Sequence, residues 1–496
     1  MLYRPLKPIL FVAAMLGCQP ANAEFYVDSS DLYLRTDLQL LAEYGVITTP
    51  INTYPLRWQA MGSQLSKVEI SQLPHALTGA YQRVYQRFLH AQHPSIVGSV
   101  HLAQASEAAQ FRHFGSDYRE ARQAGASLSF QTDNFAAQGA MTVAANPADG
   151  KNVRPDQSYL ALVAGNWAFS AGYVAQWWGP GVDSALHRST NARPMPSIML
   201  TGHQDRPWLS WLGGWSFQSS LSKMEHERFI PNPLLWSHRF NFRPFHAFEV
   251  GLSWTSQLCG EGIQCGFKAF KEVLSSGYAC PETLPNCQLD SQSKKGNQMA
   301  GIDLQYRALW FGHPFSFYYE RTCEDSGGSG PLDIADCAAL AGAHSWLPWA
   351  QPQLKLLIEY ADTMVACGTD RKAYNCFYEH STYRSGSRYY QRSLGSTYDS
   401  DARTWVLGVV SQFADESALY ATVRNIKLNH DGVTIDTSWT PTINKQKIVQ
   451  LDLNYQQPLW YGTLKVGAST AHIQLPAAAK QRQHTFYWGY VYHFSA

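Results

Sequence analysis

Phe486-Tyr487-Trp488-Gly489-Tyr490-Val491-Tyr492-His493-Phe494 carries an aromatic ring at every second position. A period of two puts Phe486, Trp488, Tyr490, Tyr492 and Phe494 on one face of a strand. A face made wholly of rings suits lipid better than water, so this strand reads as part of an embedded wall. The same alternation recurs upstream. Ile302, Leu304, Tyr306 and Ala308 interleave with Asp303, Gln305 and Arg307; Leu354, Leu356, Ile358 and Tyr360 with Lys355 and Glu359; Val449, Leu451, Leu453 and Tyr455 with Gln450, Asp452 and Asn454. Apolar residues outward and charges inward is the pattern of a transmembrane β-barrel with a polar lumen.

A closing aromatic strand of this kind resembles the C-terminal assembly signal of bacterial outer-membrane barrels, with Ser495 and Ala496 added after the last Phe. The N-terminus agrees. Arg4 and Lys7 precede the apolar run Ile9 to Leu16, and Ala21-Asn22-Ala23 offers a cleavage site, so residues 1–23 read as a signal peptide. Cys18 after Leu16-Gly17 offers a competing lipoprotein reading, for which Met15 is a poor fit. Beyond residue 23 no stretch approaches the roughly 18 apolar residues of a spanning helix. A closed barrel is the other structure that satisfies every backbone group in lipid.

Period-2 segments are read near 96–105, 124–131, 135–145, 157–164, 167–177, 196–202, 213–224, 234–242, 247–256, 299–309, 315–322, 338–346, 353–363, 404–413, 418–428, 446–456, 459–472 and 484–494. These make eighteen antiparallel strands, those at 196 and 338 being the weakest. Tight turns at 132–134, 165–166, 243–246, 414–417 and 456–458 then fall on the side of both termini, and the long loops fall opposite. Residues 24–94 do not alternate. Ser30 is expected to cap a helix over 31–44 carrying Leu34, Leu38 and Leu41, with Gly45 as its stop; Trp58, Met61 and Leu65 mark a second, and Leu77, Tyr81, Val84 and Phe88 a third over 74–90. This is expected to be a periplasmic helical element ahead of a barrel spanning 95–496.

Without Arg4 and Lys7, 37 basic residues face 38 acidic ones, which implies no nucleic-acid partner. Of the nine cysteines, the eight beyond Cys18 form short-range couples. Cys259 with Cys265, Cys280 with Cys287, Cys323 with Cys337 and Cys367 with Cys376 are expected as local disulfides in the long loops of an exported chain. None has the spacing of a metal site. His187, His203 and His226 lack a serine at nucleophile-elbow spacing, so no catalytic residue is assigned.

The densest run of unusual residues is Trp177-Trp178-Gly179-Pro180-Gly181, followed by His187-Arg188-Ser189-Thr190-Asn191-Ala192-Arg193-Pro194. With Leu212 to Phe217, Asp31 to Ala42, Pro55 to Trp58 and His380 to Tyr390, it closely resembles the capsule-assembly Wzi family over nearly the whole mature chain. The resemblance implies an eighteen-stranded barrel in the outer membrane of a Gram-negative bacterium. It further implies a non-enzymatic, cofactor-free lectin that holds capsular or extracellular polysaccharide on the cell, with the polysaccharide export machinery as a further partner beside outer-membrane lipid. A porin or specific sugar channel is the alternative, and needs an open lumen.

Sugar rings pack their C–H faces on aromatics and take hydrogen bonds from Asn and from the Arg fork. Tyr378, Tyr383, Arg384, Arg388, Tyr389, Tyr390 and Arg392 in one long loop, with Arg188, Asn191 and Arg193 in another, are therefore the candidate polysaccharide contacts. The competing reading makes them structural, with the second segment folded over the lumen and its Arg pinned by Asp303 or Glu359. We expect the mature protein to begin at Glu24, fractionate with the outer membrane and migrate faster in detergent gels unheated than boiled. Recovery in the soluble periplasm would overturn the barrel.

Overall fold

The computed structural model describes residues 25–92, 96–205, 209–263, 265–275, 296–324, 337–347, 353–366, 376–380, 382–432, 444–476 and 480–495. Its frame is a closed antiparallel barrel. In chain order the strands are Ile96–Ala105, Arg122–Gln131, Phe135–Ala144, Tyr159–Ala164, Trp167–Gly172, Ser197–Gln204, Gly214–Lys223, Leu234–Phe245 and Phe248–Leu258. Then follow Asn297–Trp310, His313–Glu324, Cys337–Trp346, Gln353–Asp362, Ala402–Gln412, Ala418–Leu428, Gln446–Leu459, Gly462–Gln474 and Gln481–Ser495. A two-residue piece, Val153–Arg154, pairs with Phe135–Ala144 beside Tyr159–Ala164 and belongs to the same interrupted strand. The count is therefore eighteen, as the periodicity predicts. The aromatic strand closes the ring, pairing with the first from Tyr487↔Ala105 to Ser495↔Val97.

The wall is inside-out in the sense expected. Ile302 and Tyr306 are each 41% exposed on the outside, whereas Asp303, Gln305 and Arg307 between and beyond them are buried. The inner charges pair with one another, Arg307 with Glu249 at 2.6 Å and Arg239 with Asp303. Exposed Phe245, Trp310, Phe311 and Trp460 ring the short-turn rim, where amphipathic rings favour the membrane interface.

Several strand ends differ from expectation by a few residues, three of them informatively. The strand predicted over 167–177 ends at Gly172, because from Tyr173 the chain turns into the lumen. The turn predicted at 456–458 lies inside Gln446–Leu459 and is made by Trp460-Tyr461 instead. The turn predicted at 243–246 moves to His246-Ala247, since Leu234–Phe245 runs on through Arg243.

The helices are α1 (Leu32–Glu43), α2 (Gln59–Leu65) and α3 (His75–Gln92). The cap of α1 is Asp31, not Ser30: its carboxylate accepts the N–H of Tyr33 and of Leu34 at 3.0 and 2.9 Å, while the Ser30 hydroxyl is turned back to Asp28. Gly45 ends the run with φ +77°, a conformation that favours glycine. All of α1 except Tyr33 is buried, including Arg35, Thr36, Asp37, Gln39 and Glu43. A polar helix buried on all sides needs a polar host, and the lumen supplies one. Glu43 meets His344 at 2.7 Å, and Gln39 accepts from Lys355 of the wall. The helix therefore sits within the short-turn mouth of the barrel rather than ahead of it. The predicted stripe Leu77, Tyr81, Val84 and Phe88 packs α3 into the same core.

Cys259–Cys265 and Cys323–Cys337 are bonded as expected, in or beside the long loops. Cys376 is also disulfide-bonded. Cys367, Cys280 and Cys287 lie outside the described residues.

Arg35 ties α1 to the chain that fills the lumen. Its guanidinium donates to the carbonyls of Gly181 at 2.9 Å and of Gly179 and Pro180 at 3.1 Å, and lies 4.2 Å from the Phe114 ring centroid. Arg35→Ala removes these charge-assisted bonds and leaves buried carbonyls unpaired, at a cost of about 3 kcal/mol. We expect higher ion conductance in planar bilayers than the wild type, with the barrel still heat-modifiable.

Candidate functional site

The chain from Tyr173 to Pro196 folds into the lumen as a plug. Trp177-Trp178 pairs antiparallel with Thr53-Tyr54, and both tryptophans are fully buried. The Trp178 indole donates to Gln218 of the wall at 3.2 Å. The glycines that follow are required locally. Gly179 has φ +118°, and a side chain at Gly181 would put its Cβ 2.2 Å from the Ser184 carbonyl oxygen.

Two wall carboxylates hold the backbone of this turn. Glu359 accepts the N–H groups of Val182 and Asp183, at 2.5 and 3.1 Å, and Glu320 those of Leu186 and His187, at 2.8 and 3.1 Å. Asp183 then pairs with Arg424 at 2.6 Å. The expectation that an Arg of the segment is pinned by Asp303 or Glu359 is thus corrected: Glu359 grips the main chain, and Asp303 is taken by Arg239.

Arg188 instead donates twice to Gln176, at 3.0 and 2.7 Å, with its guanidinium 5.9 Å from the Trp178 ring centroid. Asn191 is buried and donates to the Ser393 carbonyl at 3.0 Å. Arg193 pairs with Asp156 at 2.7 Å and Asp149 at 2.8 Å, so its carboxylates come from a loop and not from the wall.

Most of the second candidate loop also turns inward. Tyr378 is fully buried and donates its hydroxyl to the Leu186 carbonyl; Tyr383 donates to the Cys259 carbonyl at 3.0 Å. Arg388 is locked between Asp399, at 2.6 Å, and Glu379. Tyr389 is buried, and Arg392 reaches the Ala109 carbonyl at 2.7 Å and Asn191 Oδ1 at 3.2 Å. Tyr378, Tyr383, Arg388 and Tyr389 are buried, with the hydroxyls of Tyr378 and Tyr383 and the guanidinium of Arg388 already engaged inside the protein, an arrangement compatible with the competing structural reading.

Arg384 and Tyr390 do reach the surface at the long-loop end. The Arg384 guanidinium lies 4.8 Å from the centroid of Phe229, itself 39% exposed. Tyr390 is half-buried, edge-on to Tyr389 at 4.7 Å, with the Lys151 ammonium 5.6 Å from its centroid. Lys151 pairs with Glu227 at 2.9 Å. Beside Glu227 opens a hollow of about 430 Å³ lined by Glu225, His226, Glu227, Arg228, Ser385, Arg388 and Gln391. Phe229, Lys151 and Glu227 were not among the sequence candidates. The signal was the mixed string His226-Glu227-Arg228-Phe229 between two strands.

The fold and this face define a class: a lipid-facing barrel whose lumen is filled by its own helices and loops and whose outer loops present rings beside cations and amides. The chain belongs to the capsule assembly protein Wzi family, which matches residues 92–487. A Klebsiella pneumoniae relative, described as an uncharacterized 55.8 kDa protein in the cps region, is 27% identical over 358 residues, covering 68% of this chain and 65% of that relative. The solved structure of Wzi from Escherichia coli matches with a TM-score of 0.78 at 21% identity, covering 97% of this chain and 100% of that one. That protein is described as an outer membrane protein involved in group 1 capsule assembly and a carbohydrate-binding β-barrel.

The Arg193 pairing gives a pH test. Burial raises the Asp149 pKa, but the Lys151 N–H and the bonds from Arg193 and Arg154 outweigh it and hold the carboxyl below its usual value near 3.8. A depressed pKa contributes stability above the unfolded value, and that stability is lost as pH falls through the folded one. Loop stability should therefore drop below about pH 4, and less in Asp149→Asn than in the wild type. Arg193→Ala, which leaves Asp156 without its ion-pair partner while Asp149 keeps Arg154, should cost about 2 kcal/mol at pH 7. Thermal melts across pH read both effects.

Proposed function

We propose that this protein is an outer-membrane lectin that holds exported polysaccharide at the cell surface during capsule assembly, without catalysis. The observation that carries the reading is the loop face of Phe229, Arg384, Tyr390 and Lys151 on a barrel of the Wzi family. Phe229 and Tyr390 offer ring faces for pyranose C–H groups, while Arg384, Lys151 and Gln391 supply donors for hydroxyls. The family's relative from Escherichia coli, described as carbohydrate-binding, supports this assignment. The porin alternative is disfavoured by a lumen occupied by α1 and the 173–196 segment, each fastened to the wall by buried hydrogen bonds. Coupling to the export machinery belongs to the same proposal.

The test is the triple variant Phe229→Ala, Arg384→Ala, Tyr390→Ala. Two ring contacts and one cation together are worth about 2–3 kcal/mol, or roughly 30- to 150-fold in affinity. The variant should insert normally and shed polysaccharide into the medium. Retention at the wild-type level, or a wild-type barrel that conducts like an open pore, would overturn the proposal.

A further inference from the structure

Along one side of the lumen, between plug and wall, runs a chamber of about 1020 Å³. It extends from α3 and the rim residues Pro458 and Trp460 to an inner end where Arg112, Arg119, Arg154, Arg188 and Arg193 gather. Two of these arginines are neutralised. Arg154 pairs with Glu120 and Asp149, both at 2.8 Å, and Arg193 takes Asp149 and Asp156. Asp117, the remaining acid at this end, is engaged by Lys465 at 2.7 Å and by the Tyr487 hydroxyl at 2.8 Å.

Arg112, Arg119 and Arg188 have no carboxylate within ion-pair distance among the described residues. Arg112 donates to main-chain oxygens, of Tyr118, of Ser116 at 3.3 Å and of Thr190 at 3.4 Å. Arg119 donates to the same Thr190 carbonyl at 2.8 Å and to that of Asn191. Two guanidinium groups thus meet on one oxygen. Arg392 approaches the same turn through Asn191 Oδ1 at 3.2 Å. Arg188 is buried within the plug, and its Nη1 has no hydrogen-bond partner among the described residues.

Burying like charges side by side is unfavourable unless an anion joins them. Burial, and then the neighbouring Arg392, lower the Arg112 pKa to about 10, and burial with Arg112 and Arg392 lowers that of Arg119 well below the usual guanidinium range. Among the described residues the carboxylates at this end are already engaged, which leaves room for the charge of a bound anion.

We propose that Arg112 and Arg119, with Arg188 and Arg392 adding to the field, form an anion site at the inner end of the chamber for the carboxylate of an acidic sugar. The proposal rests on the polysaccharide reading and narrows it to uronate-type residues. The guanidinium fork matches a carboxylate bidentately. Gln123, Gln138, Thr142 and Gln157, which line the same chamber, supply partners for ring hydroxyls. The volume is of the size that small-molecule sites occupy.

The test uses the full-length protein purified in detergent, with D-glucuronate, D-glucose and inorganic phosphate as separate titrants at matched ionic strength, read by calorimetry. Glucuronate should bind, bind more weakly as salt rises, and exclude glucose. Arg112→Gln with Arg119→Gln should lower its affinity at least tenfold, and the corresponding Lys pair should fall between, keeping charge but losing the fork. Gel mobility before and after heating reports that each variant is folded. Glucuronate no better than glucose, or indifferent to the double substitution, overturns the site; binding by phosphate alone overturns the acidic sugar. Should the Gln pair not fold, the wild type decides, because salt-insensitive binding equal to that of glucose overturns the site. The loop-face reading is tested by retention in its own variant, so each can fail without the other.

Discussion

Glu359 and Glu320 hold the molecule's interior together. A barrel in lipid turns its polar residues inward, and whatever fills the lumen must satisfy them. Here each carboxylate accepts backbone N–H groups from the Val182–His187 turn. An irregular segment carries unpaired main-chain donors, and two fixed acceptors on the wall absorb them. Once that turn is set, the buried tryptophans, the Arg35 bridge to α1 and the Asp183–Arg424 pair all follow in register.

The wall was legible because its rule is simple. Period-2 alternation with charged residues on the inner face is local information, and strands as separate as Ile96–Ala105 and Ala418–Leu428 were readable to the residue. The misplaced ends share one cause. Tyr173 to Gln176 and Gln456 to Pro458 have ambiguous patterning, and only tertiary contacts decide whether the chain stays in the wall. The short helices were legible by their stripes, but not their placement. That α1 lies inside the barrel depends on Glu43 meeting His344 and Gln39 meeting Lys355, pairs about 300 residues apart.

The candidate contacts were the least legible part. Arginine and tyrosine serve equally well as sugar platforms and as braces, because both roles use the same fork and the same ring. Composition cannot tell Arg388, clamped between Asp399 and Glu379, from Arg384, lying over Phe229 at the surface. Burial separates them. Lys151 and Phe229 reached the face from different loops, a convergence that no window of sequence contains.

The seam between Ile96–Ala105 and Gln481–Ser495 has a consequence for the order of events during assembly. The segments that fill the lumen all precede the last strand in the chain, and α1 and the 173–196 plug are too firmly embedded among wall side chains to be threaded through a finished ring. Late closure, around an interior already in place, is the order this arrangement favours. A barrel wrapped about its contents, with the aromatic strand as the last piece, needs no such passage.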